Sequence, residues 1–188
     1  MKRFFLALLL ICNFATITNA QSSIGAFYGV ELGQTKTQVE SILNQKGVTY
    51  QWTYEDGASI IKVSSPYLGE VSFQGAALYF KNNSMYKGVF FSSDGGYFFT
   101  DHPLWSTNKA SFDNRAKKWE RDYYTVKMNL CSKYGPANVD SDTKATWRRG
   151  NRQISVEFDY DVKPESPTSV FLWSRIGVTY EIVDVSDF

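Results

Sequence analysis

Seven apolar residues, Phe112, Ala116, Trp119, Tyr123, Val126, Leu130 and Tyr134, recur at spacings of three and four just before Gly135-Pro136. That period places all seven on one stripe of a helix, and the Gly-Pro pair ends it, because Gly takes the left-handed position and Pro blocks continuation. A long helix with a single apolar stripe needs a partner layer. The segments that follow supply one: Thr143–Arg148 and Arg152–Tyr160 flank a Gly150-Asn151 turn, and Ser169–Arg175 and Gly177–Val185 read as two more strands.

The first half of the chain repeats this order. Thr35–Lys46 carries Val39, Ile42 and Leu43 on one helical face, Thr35 with Gln38 forms a capping box, and Gly47 supplies the stop. Strands are expected at Thr49–Glu55 and Ala58–Ser64 around Asp56-Gly57, then at Leu78–Lys81 and Met85–Ser92 around Asn82-Asn83-Ser84. Helix then strands, twice over, predicts an α+β fold: an antiparallel sheet with two helices on one face, built from two repeats at about 25–93 and 106–188. An aromatic linker joins the repeats, and 21–188 forms a single domain.

The first twenty residues read as an export signal. Lys2 and Arg3 precede the apolar run Phe4–Ile11, and Thr18-Asn19-Ala20 offers small residues at the cleavage positions, so the mature chain is expected to begin at Gln21. The chain is therefore expected to be exported, either periplasmic or secreted, with no membrane span, since no later run reaches about twenty apolar residues. Lipidation at Cys12 is the competing reading, but Ile11 stands where a small residue is required.

Loss of Lys2 and Arg3 takes the formal charge from +1 to −1, and interspersed signs give no footprint for nucleic acid. The mature chain keeps one cysteine, Cys131, so no internal disulfide can form. Stability then has to come from an apolar core, which a chain of this size can build as one domain.

The run Gly29-Val30-Glu31-Leu32-Gly33-Gln34-Thr35-Lys36-Thr37-Gln38-Val39, with Leu43 one turn on, resembles the opening of small envelope domains of the SmpA/OmlA type. Related tandem helix-plus-strand repeats build the fold of the beta-lactamase inhibitor protein. The first repeat has the capped turn of that pattern but ends Gln45-Lys46-Gly47, whereas the second has the Tyr134-Gly135-Pro136 break without the capped turn. The resemblance implies an envelope scaffold or protein-binding module with no cofactor. The lipid-attachment cysteine of the lipoprotein branch is missing.

Motifs for chemistry are sparse. His102, the only histidine, lies between Asp101 and Pro103, where neighbouring side chains on an extended segment point apart, so a surface loop role is expected over general base catalysis. Cys131 sits beside Leu130 on the helical seam and reads as a buried thiol. Neither a nucleophile elbow nor a phosphate-cradling glycine loop occurs, and one His with one Cys cannot build a zinc site.

Two constellations stand out as surfaces. Glu157, Asp159 and Asp161 alternate with Val156, Phe158 and Tyr160, which lines the carboxylates along one strand face. They could serve a glycosidase or, with Asp140 and Asp142, bind calcium; cross-strand pairing with Lys144, Arg148 or Arg149 is the simpler expectation.

The second constellation is aromatic. Such residues make up 16% of the chain, and the clusters Tyr50, Trp52, Tyr54 and Tyr97, Phe98, Phe99 with Trp105 exceed what one layer of helix against sheet needs. Tyr50, Trp52 and Tyr54 share one strand face, directed either into the core or onto an exposed sheet surface; Ile60 can cover the helix side of the hairpin, which leaves an outward direction open to Trp52. The function expected is a non-catalytic binding or assembly module recognising a protein partner. The alternatives are a carbohydrate-binding or glycoside-hydrolysing protein using the acidic face, and a structural component held together by oligomerisation.

Overall fold

The computed structural model describes residues 26, 27 and 29–183. The export signal, its cleavage site, Cys12 and the end of the last expected strand lie outside these residues. Among the described residues two helices, α1 (Lys36–Gln45) and α2 (Trp105–Tyr134), accompany twelve strands. They are β1 (Ala26–Phe27), β2 (Val30–Glu31), β3 (Tyr50–Glu55), β4 (Ala58–Ser64), β5 (Tyr67–Leu68), β6 (Val71–Ser72) and β7 (Gly75–Lys81), followed by β8 (Ser84–Phe99), β9 (Val139–Asp140), β10 (Lys144–Arg149), β11 (Arg152–Ser166) and β12 (Ser169–Ile182).

Eight strands form one antiparallel sheet in the order β3-β4-β7-β8-β12-β11-β10-β9, so the fold is α+β with a large antiparallel sheet. β1 with β2 and β5 with β6 form separate two-stranded ribbons, which the sequence pattern did not reveal.

Both helices end where their local chemistry dictates. In α1 the Thr35 amide donates to Gln38 Oε1 at 2.9 Å while Thr35 Oγ1 accepts from the Gln38 amide at 3.4 Å, closing the expected capping box. α2 buries Phe112, Ala116, Trp119, Tyr123, Val126, Leu130 and Tyr134, the same seven residues that set its period. It stops at Gly135, whose φ of 82° lies in the left-handed region. Its start differs from expectation: Trp105 is its first residue, so the aromatic connection is shorter than the sequence suggests.

Cross-strand register sorts the side chains onto two faces. Ile61, Leu78, Phe90, Val178, Ile154 and Ala145 share one face and belong to a single core that also takes in Val39 and Leu43 of α1 and Trp119, Tyr123, Val126, Leu130 and Tyr134 of α2. Trp147 Nε1 donates to the Gly135 carbonyl at 2.9 Å, and Arg149 donates to the Tyr134 carbonyl at 2.8 Å, satisfying acceptors left free at the helix end. Tyr180 is buried in this core, and burial pushes its phenol above the ordinary range.

Two strands run longer than their sequences suggest. β8 continues through Tyr97, Phe98 and Phe99, and β12 runs unbroken through Gly177, which stands between Phe91 of β8 and Glu157 of β11. The two strands expected at Ser169–Arg175 and from Gly177 onward are thus one, and Gly177 simply leaves a gap in its row of side chains.

Candidate binding surface

The sheet face opposite the core carries a row of aromatic rings along β8 and β12. Register places Phe91 beside Gly177, Gly95 beside Trp173 and Tyr97 beside Phe171, with Phe99 next along β8. Tyr97 is 70% exposed, Phe99 61% and Phe91 43%, while Phe171 and Trp173 are half-buried. The Tyr97 and Phe171 rings meet with centroids 5.0 Å apart.

Two glycines shape this row. A Cβ on Gly75 would lie 2.6 Å from Cζ of Phe91, and one on Gly95 would lie 2.7 Å from both Trp173 Cε3 and the Leu172 carbonyl. Each ring therefore lies over the glycine of the neighbouring strand, which flattens the aromatic surface. Between the Phe91 ring and Glu157, the bare backbone of Gly177 floors a depression of ≈ 250 Å³ that Trp173, Arg175 and Thr179 also line.

The acidic stripe lies beside the row. Glu157 pairs with Lys144 at 2.5 Å and approaches Arg175 at 3.7 Å; Arg175 also donates to Asp159, and Lys163 pairs with Asp161 at 3.0 Å. Lys144 is a partner anticipated from sequence, whereas Arg175 comes from a strand whose register only the fold reveals. Every member of the stripe thus faces a cation.

The seven aromatic residues singled out in the sequence divide between the two sides of the sheet. Tyr97 and Phe99 belong to the row. Phe98, between them, points to the core side and packs on Trp105 of α2 at 6.3 Å. Tyr50, Trp52 and Tyr54 lie on the core-facing side of β3, because Trp52 pairs with Ile61 rather than projecting opposite the core.

Of the two directions open to the Trp52 ring, the structure therefore takes the core-facing one. Its indole sits 5.4 Å from the Phe80 ring, donates to Glu40 Oε1 at 2.7 Å and lies 5.6 Å from Lys36 Nζ, yet it is still 39% exposed. With Lys36, Glu40, Tyr54 and Ser59 it lines a wide cleft of ≈ 710 Å³ between α1 and the sheet edge. Ile60 is also buried, but on the opposite sheet face beside Tyr79.

Sequence reasoning missed Phe91, Phe171, Trp173 and Arg175. The signal was present in Phe171-Leu172-Trp173-Ser174-Arg175, where the rings fall at i and i+2 and so share a strand face.

The other candidates have structural roles. His102 Nδ1 accepts the Leu104 amide at 3.1 Å in the turn that enters α2. Cys131 is a half-buried free thiol. Asp140 pairs with Lys127, whose pKa that contact raises. On the core side of the long strands, Lys109 donates to Asp113 at 2.6 Å and holds its carboxyl below the usual range, while Tyr160 donates to the same carboxylate at 3.2 Å.

Among the described residues, no group of three or more His, Cys, Asp or Glu could hold a metal ion, and no helix is long and apolar enough to cross a membrane. Comparison with family models, curated proteins and solved structures gives no match. The fold and its surface define a class only: an α+β chain with a broad antiparallel sheet that displays aromatic rings on the face away from its core.

Proposed function

We propose that the chain is an exported, non-catalytic binding module that holds a protein partner against the aromatic row of Tyr97, Phe99, Phe171 and Trp173. The observation that carries this reading is the exposure of large rings on a sheet face already braced by its neighbours. Exposed rings gain most from a partner that removes them from water, and aromatic anchors dominate the energetics of such interfaces. Their rotamers are restricted in advance by the cross-strand packing, so little side-chain entropy remains to be lost on binding.

The wider architecture supports the same reading. The sheet order β3-β4-β7-β8 followed by β12-β11-β10-β9 is the arrangement expected if two helix-then-strand units join through their last strands. Both helices lying on one face of a duplicated sheet is part of this proposal, as is kinship with the SmpA/OmlA-type or beta-lactamase inhibitor protein-like repeats.

The alternative, glycoside hydrolysis on the acidic stripe, gains no support from the side-chain arrangement. That chemistry needs two carboxyl groups free to flank a glycosidic bond. Glu157, Asp159 and Asp161 are instead each engaged in an ion pair, with Lys144, Arg175 and Lys163 respectively.

The test is capture from envelope extract with residues 21–188 as bait, alongside a Tyr97→Ala/Phe171→Ala variant and a soluble-glycan competitor. A protein retained by the parent chain and lost by the variant supports the reading. Retention that only the glycan abolishes points to sugar stacking and contradicts it.

A further inference from the structure

We infer that β3 is a homotypic pairing edge, at which a second copy of this chain adds its own β3 in antiparallel fashion and joins two sheets into one. This rests on a different surface from the aromatic row and does not depend on it.

β3 is the terminal strand of the eight-stranded sheet and hydrogen-bonds to β4 alone within it. The hairpin turn fixes which of its backbone groups face outward. Asp56 and Gly57 both have positive φ, 49° and 78°, the signature of a two-residue type I′ turn. Such a turn makes its flanking residues, Glu55 and Ala58, a hydrogen-bonded pair. Hydrogen-bonded and non-hydrogen-bonded pairs then alternate, so Thr53 and Gln51 also bond inward to β4. The N–H and C=O groups of Tyr50, Trp52 and Tyr54 are left facing the free edge.

The remaining long edges carry devices against strand addition. The outer edge of β11 has Lys163, Pro164 and a register shift between Pro164 and Ser166. β9 is only two residues long, and its Asp140 is engaged by Lys127. Beyond β7, Gln74 Oε1 takes the Ser93 amide at 3.1 Å where the outer edge of β8 begins, and Gly95 and Gly96 follow in that stretch. β3 has six residues, no proline, no lysine and no bulge. An edge left in that state is a template for another strand.

The identity of the added strand follows from the sequence of the edge. Antiparallel pairing about a two-fold axis at Trp52 sets Trp52 against its copy and Tyr50 against Tyr54, so every outward backbone group finds a partner. On the other face Gln51 falls opposite Thr53. The only charged residue of the strand, Glu55, falls opposite Thr49 and is already tied to Lys62 at 2.5 Å. No like charges meet, and Tyr54, 72% exposed in one copy, gains a ring neighbour.

Sedimentation velocity on residues 21–188 across the micromolar to millimolar range tests this. Three samples are run: the parent chain, Gln51→Lys/Thr53→Lys, and Gln51→Glu/Thr53→Glu. Both substituted positions point away from the core, and thermal unfolding verifies that each variant is folded.

The parent chain is expected to show a concentration-dependent dimer. Each variant alone, with like charges opposed across the axis, should be at least tenfold weaker in self-association. An equimolar mixture of the two variants should recover a dimer, which also separates a pairing effect from a folding defect. A parent chain that stays monomeric throughout, a dimer that neither variant weakens, or a mixture that remains monomeric would overturn the inference.

Discussion

The indole N–H of Trp52 donates to Glu40 Oε1 at 2.7 Å, tying the edge strand β3 to helix α1 across the wide cleft. The same ring covers Phe80 at the margin of the core. Trp52 therefore closes the side of the core and presents a partly open ring at once. Trp52→Ala should cost roughly 2 kcal/mol, less than the roughly 3 to 5 kcal/mol of a fully buried ring. Glu40→Gln keeps an acceptor for the indole and should change stability by about 0.5 kcal/mol or less. Chemical denaturation of both variants checks the ordering.

The aromatic row should behave in the opposite way. Tyr97→Ala, at a position 70% exposed, removes contact area from the proposed interface but almost none from the core. Its unfolding free energy should shift by less than about 1 kcal/mol, whereas partner affinity should fall by about 2 kcal/mol. Thermal unfolding and calorimetric titration of the captured partner separate the two quantities.

Gly75 and Gly95 make a paired comparison. At Gly75 the obstacle to a Cβ is the far end of the half-exposed Phe91 ring, which can swing toward the depression above Gly177. At Gly95 the obstacle includes the Leu172 carbonyl, which belongs to the β8–β12 ladder. Gly95→Ala should destabilise the protein by about 1 to 3 kcal/mol and by more than Gly75→Ala does. Equilibrium unfolding of the two variants gives the order directly.

Asp113 should leave a signature in acid. Its folded pKa is lowered, chiefly by the hydrogen bond from Lys109, so its contribution is fully present above the ordinary carboxylate value and is lost as pH falls through the lowered one. Because this pair is partly exposed, the contribution is below about 1 kcal/mol. Asp113→Asn should flatten the fall of melting temperature below about pH 4 and change little near neutrality.

The elements most legible in the sequence were those with local determinants. The stripe from Phe112 to Tyr134 and the capping box of Thr35 and Gln38 depend on residues within a turn or two of one another, and both have their expected form. The division of β12 into two strands and the placing of Trp105 in the linker were misread because these settings are made by distant strands: β8 and β11 pair with β12 straight through Ile176 and Gly177, and Phe98 receives the Trp105 ring. The same cause divided the candidate site. Tyr97 and Phe98 are adjacent in sequence but point to opposite faces, and Tyr97 meets Phe171, a residue seventy-four positions away, only through the β8–β12 register.

Hydroxyl-radical footprinting of residues 21–188, with and without the captured partner, tests the central claim most directly. Oxidation of Tyr97, Phe171 and Trp173 should fall on binding, while Trp52 and Tyr54, compared at a concentration below self-association, should keep their reactivity. Protection of Trp52 and Tyr54 with the row left fully reactive would contradict the account and move the partner to the cleft beside α1.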